Sequence, residues 1–440
     1  MKTLPLLCIL LAGAGLLNAA PEPLTLRVVP ERDVIYTGGS REVIVQIEIE
    51  GRRPDRLQRA PMNLALVLDR SGSMAGAKLE KARQAACVAL DQLDANDYFS
   101  LVTYDNEADV LIPPQRIGSS RERDALKERI DRIRPGGGTA IYAGVKLGAE
   151  QLRRHQDRER VNRVILLSDG LANSGPSRTS DLAGLGLKLR EEGFSVSTIG
   201  VGDDYNEDLM TALAEASHAN YYYVKDAEKL PGIFSDELGA ARTVLARSIQ
   251  IRITVPEGVR IREILGHPEI QCGNHSAEIV LPEYFGSDKR RFLARCVVEN
   301  PPAESLEVAS VALRYEEAGS GRIASQNHAT TVRFTNEQGK SDESQRVEVA
   351  RDLSIHWNSE AKKRAVKLAD EGKAKEAAEV LRSQAAANAA VPAPAQIPNM
   401  AEENRRLAES ASEVDSQGSL SKSRRKAVQW ENYQDKYQKR

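Results

Sequence analysis

The turn Asp69-Arg70-Ser71-Gly72-Ser73 constrains this chain more than any other stretch, because it joins two patterns that rarely meet by chance. Before it, Asn63-Leu64-Ala65-Leu66-Val67-Leu68 carries no charge. A run of that kind fits a strand buried on both faces, as in a parallel sheet covered by helices. After it, apolar residues recur at helical spacing at Leu79, Ala82, Ala86, Leu90 and Leu93. One carboxylate and two hydroxyls therefore sit at the carboxyl end of a parallel strand, the edge where open α/β sheets bind ligands. Hard divalent cations take oxygen ligands of this type. Taken alone, D-x-S-x-S is weak, since Asp, Ser and Gly also crowd ordinary turns. Further ligands must come from elsewhere in the chain.

Residues 60–241 supply them. Strand-like runs at 99–104, 109–112, 163–168, 195–201 and 221–224 alternate with helical spacing near 120–133, 140–155, 179–192, 206–217 and 227–240. This alternation predicts an α/β fold with a doubly wound, mostly parallel sheet. Within it, Pro135-Gly136-Gly137-Gly138-Thr139 puts a hydroxyl on a loop whose glycines permit close backbone approach. Asp169, followed by Gly170, ends the apolar run at 163–168, again at a carboxyl edge. Asp69, Ser71, Ser73, Thr139 and Asp169 are thus expected to converge from three loops.

On these residues the chain resembles the von Willebrand factor type A domain with its metal-ion-dependent adhesion site (MIDAS). The match covers D-x-S-x-S at 69–73, Gly-Gly-Thr at 137–139 and Ser-Asp-Gly at 168–170. The flanking β-rich segments are similar to those of bacterial secreted proteins and inter-alpha-trypsin-inhibitor heavy chains that carry this domain. The resemblance implies that Ser71, Ser73 and Thr139 touch a metal, with Asp69 and Asp169 acting largely through bound water. Oxygen-only octahedral ligation points to Mg²⁺, with Mn²⁺ or Ca²⁺ as alternatives. Neutral hydroxyl ligands leave such a cation short of charge, so an Asp or Glu of a protein partner would complete it. The resemblance also implies that the last helix of the domain shifts when the site is occupied, as in some relatives.

The flanks are expected to be separate units. Alternating apolar residues within 21–57 and again within 244–336 read as strands of a β-sandwich, with the α/β domain inserted in or followed by it. Residues 345–388, rich in Ala, Lys, Glu and Arg and broken at Glu371-Gly372, read as a helical hairpin. The remainder, 389–440, reads as a linker at Pro392, Pro394 and Pro398 and a basic and aromatic tail. Its Trp430, Tyr433 and Tyr437 share one helical face, either as a docking helix or in a partly disordered tail.

Composition narrows the function. The 440 residues suffice for two or three domains, and a net charge of −2 argues against nucleic acid as the main partner. Lys2, the apolar run from Leu4 to Leu17 and Ala19-Ala20 read as a cleaved signal peptide over 1–20, the alternative being an uncleaved anchor. With no later span, the expected location is secreted or periplasmic. Cys8 lies inside the apolar run and Cys87 on a helix face. Cys272 and Cys296 fall in neighbouring β-like segments, as a disulfide or as two buried thiols.

The expected function is a metal-dependent adhesion or assembly protein, not an enzyme. The alternatives are a scaffold whose metal only stabilises the fold, and a metal-assisted hydrolase. Hydrolysis lacks support: the six histidines (155, 218, 267, 275, 328 and 356) avoid the three site loops. No G-x-S-x-G elbow occurs, and the S-x-x-K match from Ser359 to Lys362 lacks its companion motifs.

Overall fold

The computed structural model describes residues 22–52, 59–241, 244–286, 288–300, 304–391 and 395–437. The expected signal segment at 1–20, and Pro392 and Pro394 of the expected linker, lie outside the described residues. Three strands open the described chain: β1 (Leu24–Pro30), β2 (Val34–Tyr36) and β3 (Glu42–Gly51). Then come β4 (Met62–Asp69), α1 (Ala77–Gln92), β5 (Tyr98–Tyr104), β6 (Ala108–Arg116), α2 (Ser120–Asp131) and α3 (Ile141–Arg153). They continue into β7 (Val161–Ser168), α4 (Thr179–Glu191), β8 (Ser195–Val201), α5 (Glu207–Ala216), β9 (Tyr221–Val224) and α6 (Leu230–Ala241).

These central strands form a six-stranded sheet in the order β6-β5-β4-β7-β8-β9. Every adjacent pair is parallel except β5 and β6, which run antiparallel with Tyr104 opposite Ala108. β4 lies between its successor β5 and the later β7, so the chain reverses its direction of winding there. That is the topological switch point, and Asp69 stands at its carboxyl end. All eight residues of β4 are buried, the uncharged run at 63–68 and Asp69 at its end alike. Alternate side chains serve opposite faces: Leu64, Leu66 and Leu68 pack with α1, α2 and α6, and Ala65 and Val67 with α3, α4 and α5. α3 lies close against the sheet because Gly148 and Gly144 face it. A Cβ on Gly148 would stand 2.6 Å from Val67 Cγ2.

The remaining strands are β10 (Val244–Thr254), β11 (Val259–Ile264), β12 (Ser276–Phe285), β13 (Lys289–Val298), β14 (Ser305–Glu317) and β15 (Ile323–Thr335). They share two sheets with the first three strands, in the orders β1-β3-β13-β11 and β12-β10-β14-β15-β2. Leu26, Val45 and Ile47 from the early strands meet Ile251, Ile253, Val311 and Leu313 from the later ones in a common core. The chain therefore leaves the two sheets after β3 and returns at β10. Cys272 and Cys296 are free thiols, as is Cys87.

Helices close the chain: α7 (Gln338–Glu343), α8 (Val347–Asp370), α9 (Ala374–Ala389), α10 (Met400–Gln417) and α11 (Lys422–Tyr437). Gly372, at φ +76°, makes the left-handed turn between α8 and α9. α10 is a correction to the expected linker: Leu407, Ala411 and Val414 pack on Ala365, Ala378 and Leu381. α11 docks, with Tyr433 inserted among Tyr221, Leu209 and Leu213 of the α/β core. Among the described residues no helix is long and apolar enough to cross a membrane.

Candidate metal centre

Three loops meet at the carboxyl edge of β4, and backbone hydrogen bonds knit them. Gly72 N–H donates to Gly137 O at 2.9 Å, Gly136 N–H to Arg70 O at 2.6 Å, and Ala140 N–H to Asp105 O at 2.8 Å. The glycines at 136–138 are there for space. A Cβ on Gly136 or Gly137 would collide with the Asp105 or Asn106 side chain, and one on Gly138 would stand 2.7 Å from both Asn106 Oδ1 and Asn173 Oδ1. Asn173 Oδ1 in turn accepts from Thr139 N–H at 2.7 Å, which fixes the threonine.

The five residues singled out in the sequence come together here. Asp69 is fully buried and accepts from Ser71 N–H at 2.8 Å and from Ser168 Oγ at 2.6 Å. Ser71 and Ser73 hydroxyls lie 3.1 Å apart, and Ser73 Oγ donates to Asp169 Oδ1 at 2.7 Å. Asp169 is also fully buried, whereas Ser73 is exposed, so the cluster opens to solvent on one side. Thr139 closes the ring through Gly170, where a Cβ would stand 3.1 Å from Thr139 Oγ1 and 3.4 Å from Ser73 Oγ. The cradle thus depends on a residue without a side chain. Burial pushes the Asp69 carboxyl above its ordinary range, and the charge of Asp169 adds to this, while bonds from Ser168 and Ser71 offset part of it. A site that gathers two buried carboxylates and three hydroxyls around one point fits a hard cation with oxygen ligands. Among the described residues no group of three His, Cys, Asp or Glu side chains is placed to hold a metal ion, so the hydroxyls are needed to complete a ligand set here.

Several supporting residues lay outside the sequence expectation. Tyr104 OH donates to Leu167 O at 3.0 Å and lies 3.4 Å from Asp69 Oδ2, roofing the buried carboxylate. Asn106 Oδ1 accepts from Gly138 N–H at 2.8 Å. Lys78 Nζ pairs with Asp169 Oδ2 at 2.5 Å. A lysine in the first turn of a helix opposes the helix dipole, and that mismatch at α1 was the one signal in the sequence that could have drawn attention to it.

The features suggestive of catalysis point elsewhere. Among the described residues no histidine bonds to the five site residues; His155 stacks on Tyr98 and His267 pairs with Glu269. In the S-x-x-K match, Lys362 is buried between Glu403 at 2.5 Å and Glu431 at 2.9 Å. Burial works against its charge, but the two carboxylates prevail and raise its pKa. It is therefore held as an ammonium and unsuited to act as a base.

Comparison with known proteins bears on the domain that carries these loops. Residues 63–236 match the von Willebrand factor type A domain family. A Synechocystis protein, sll0103, is 32% identical over 182 residues, covering 41% of this chain and 42% of its own length. Bovine inter-alpha-trypsin inhibitor heavy chain H4 is 26% identical over 183 residues, covering 40% of this chain and 20% of its own. The chain therefore spans less than half the length of these curated relatives. A solved von Willebrand factor type A structure from Catenulispora acidiphila superposes with a TM-score of 0.67 at 17% identity, covering 89% of this chain and 96% of that one. That likeness extends the shared fold beyond the central sheet to the flanking strands and helices. Domains of this kind are in general protein-interaction or adhesion modules, and residues 63–236 of this chain form a von Willebrand factor type A domain.

Proposed function

We propose that this chain is an extracytoplasmic protein-binding module that captures an acidic side chain of a partner protein at a divalent-cation site. The observation that carries the reading is the run of contacts from Asp69 to Ser71, Ser73 and Asp169, with Ser73 and Thr139 meeting at Gly170 and Ser73 open to solvent. Ser71, Ser73 and Thr139 would hold Mg²⁺, with Mn²⁺ or Ca²⁺ as alternatives, and Asp69 and Asp169 would balance its charge through water. When bound, the ion supplies a Lewis-acid position for an incoming Asp or Glu carboxylate. Ser168, Tyr104 and Asn173 keep the oxygens aimed, which limits reorganisation when the ion arrives. The signal-like segment at 1–20 supports a secreted or periplasmic location.

The test has two readouts on the purified chain: calorimetric uptake of Mg²⁺, and capture of a partner from native medium or envelope with Mg²⁺ or with chelator. Asp69→Ala should abolish both while the two flanking sheets stay folded. Capture that survives chelation would remove the reading. A large fall in melting temperature on chelation, with capture unchanged, would instead favour a metal that only stabilises the fold.

A further inference from the structure

Asp69 and Asp169 bring two carboxylates into a fully buried floor. Among the described residues Lys78 is the one cation bonded to either, through its 2.5 Å contact with Asp169 Oδ2. The other oxygen of Asp169 takes the Ser73 hydroxyl, so lysine and hydroxyl share one carboxylate. Lys78 holds this place at a cost, since its position in the first turn of α1 sets its charge against the helix dipole. Its stem lies beside Gly202, where a Cβ would be 3.6 Å from Lys78 Cε. The side chain is 32% exposed, so the ammonium has water to move into, and Asp203 and Asp204 follow directly after Gly202.

We propose that Lys78 is a resident counter-ion that neutralises Asp169 in the metal-free protein and gives it up when a divalent cation binds. This rests on the metal-site reading above. Lys78 then sets the cation concentration at which the site becomes competent for a partner's carboxylate, because two cations cannot share one buried carboxylate without mutual repulsion. The opposite arrangement is also physically sound: a lysine that stays on Asp169 and orients it would strengthen metal binding. The sign of the effect on affinity separates the two.

The experiment is calorimetry with Mg²⁺ and thermal melting, with and without Mg²⁺, on the full chain and on Lys78→Met, Lys78→Gln and Lys78→Arg. Removing the charge while keeping most of the stem should tighten Mg²⁺ binding about tenfold. It should also lower the melting temperature of the metal-free protein and enlarge the rise produced by Mg²⁺. Lys78→Arg should behave as the parent. Two neutral variants are used so that the result does not hang on the folding of one. Unchanged or weaker Mg²⁺ binding in both neutral variants, with the parent binding normally, overturns the role of Lys78 and leaves the metal site standing. Uptake by the neutral variants but not by the parent supports both. No uptake by the parent or by any variant removes both.

Discussion

Gly170 shows how tightly the oxygen cluster is drawn. A methyl group there would press on Thr139 Oγ1 at 3.1 Å and on Ser73 Oγ at 3.4 Å, and both hydroxyls belong to the proposed ligand set. Gly170→Ala should therefore weaken Mg²⁺ uptake about tenfold, while displacements of a few tenths of an ångström leave the melting temperature within a few degrees. Calorimetry and a melting curve on the same sample check both halves, and unaltered Mg²⁺ affinity would mean that Thr139 and Ser73 do not act together. Asp69 and Asp169 were legible as candidate ligands because each ends an apolar run. Ser71, Ser73 and Thr139 were legible because short motifs carry them, D-x-S-x-S after β4 and Gly-Gly-Thr between α2 and α3. Lys78, Tyr104, Asn106 and Asn173 were not. Their contacts join residues far apart in the chain, such as Lys78 with Asp169 and Thr139 with Asn173, and no local period encodes such pairs.

At the scale of elements, the order of strands and helices from β4 to α6 was readable because each period is long and each turn is marked by Gly, Asn or Asp. α10 was not read, since its buried face mixes Leu407, Ala411 and Val414 with Glu403 and Ser410. Hydrophobic periodicity undercounts a face of that kind. The anchoring of α6 was equally hidden. Glu237 on this helix is fully buried, pairs with Arg163 of β7, and accepts from Ser197, from Asn220 at 2.5 Å and from Tyr222 at 2.7 Å. Burial alone would raise its pKa, but Arg163 and these donors prevail and hold the carboxyl near about 2. The stabilisation is therefore present above the ordinary carboxylate range near 4.5 and is lost only as pH falls through about 2. Any sliding of α6 on occupation of the site has to break this cluster. Glu237→Ala should cost about 3–5 kcal/mol by leaving Arg163 buried and unpaired. Chemical denaturation of the full chain measures it, and a loss near zero would show that α6 is not pinned there.

A half-buried carboxylate behaves in the opposite sense, at the contact between α8 and the sheet β1-β3-β13-β11. Asp352 accepts from Gln46 Nε2 at 2.6 Å and pairs with Arg291 at 3.1 Å. Burial dominates and pushes its pKa up to about 6 despite Arg291, and the charge of Glu48 adds to the rise. A raised folded value means that the fold favours protonated Asp352. Its contribution is present below the unfolded value of 3.8 and is lost as pH climbs through about 6. Across that window the shift corresponds to about 3 kcal/mol. Asp352→Asn keeps the shape without the charge, so it should melt higher than the parent at neutral pH and together with it near pH 4 (about the ordinary Asp value). Parallel melting curves at the two pH values decide the matter. A constant difference between the two proteins would assign the effect to packing and not to ionisation.

The whole molecule is held together by its last helix. α11 reaches back to the α/β domain, where Tyr433 is 2% exposed and its ring meets Tyr221 edge-on at 5.9 Å. Arg425 pairs with Glu207 and Asp208 of α5 and, on its other side, with Asp370 of α8. Lys426 adds a buried pair with Glu207 at 2.9 Å. One helix thus ties the central domain to the helices that cover the neighbouring sheet. The exposed pairs to Asp208 and Asp370 contribute little, and the buried Lys426–Glu207 pair mainly offsets its own desolvation, so the buried aromatic is expected to carry most of the docking. Tyr433→Ala should cost about 3–5 kcal/mol of that contact, as large aromatic truncations in cores do. The loss should be local: hydrogen exchange should rise in α11 and along 219–224, while the central strands β4 and β7, buried at every position, keep their protection. Protease should then cut near Gly418, which ends α10 at φ +76° just before α11 begins. If exchange in β4 and β7 rises equally, the helix is part of the cooperative core of the domain. If α11 keeps its protection without Tyr433, then Arg425 and Lys426 hold it, and the weight given to the aromatic contact is wrong.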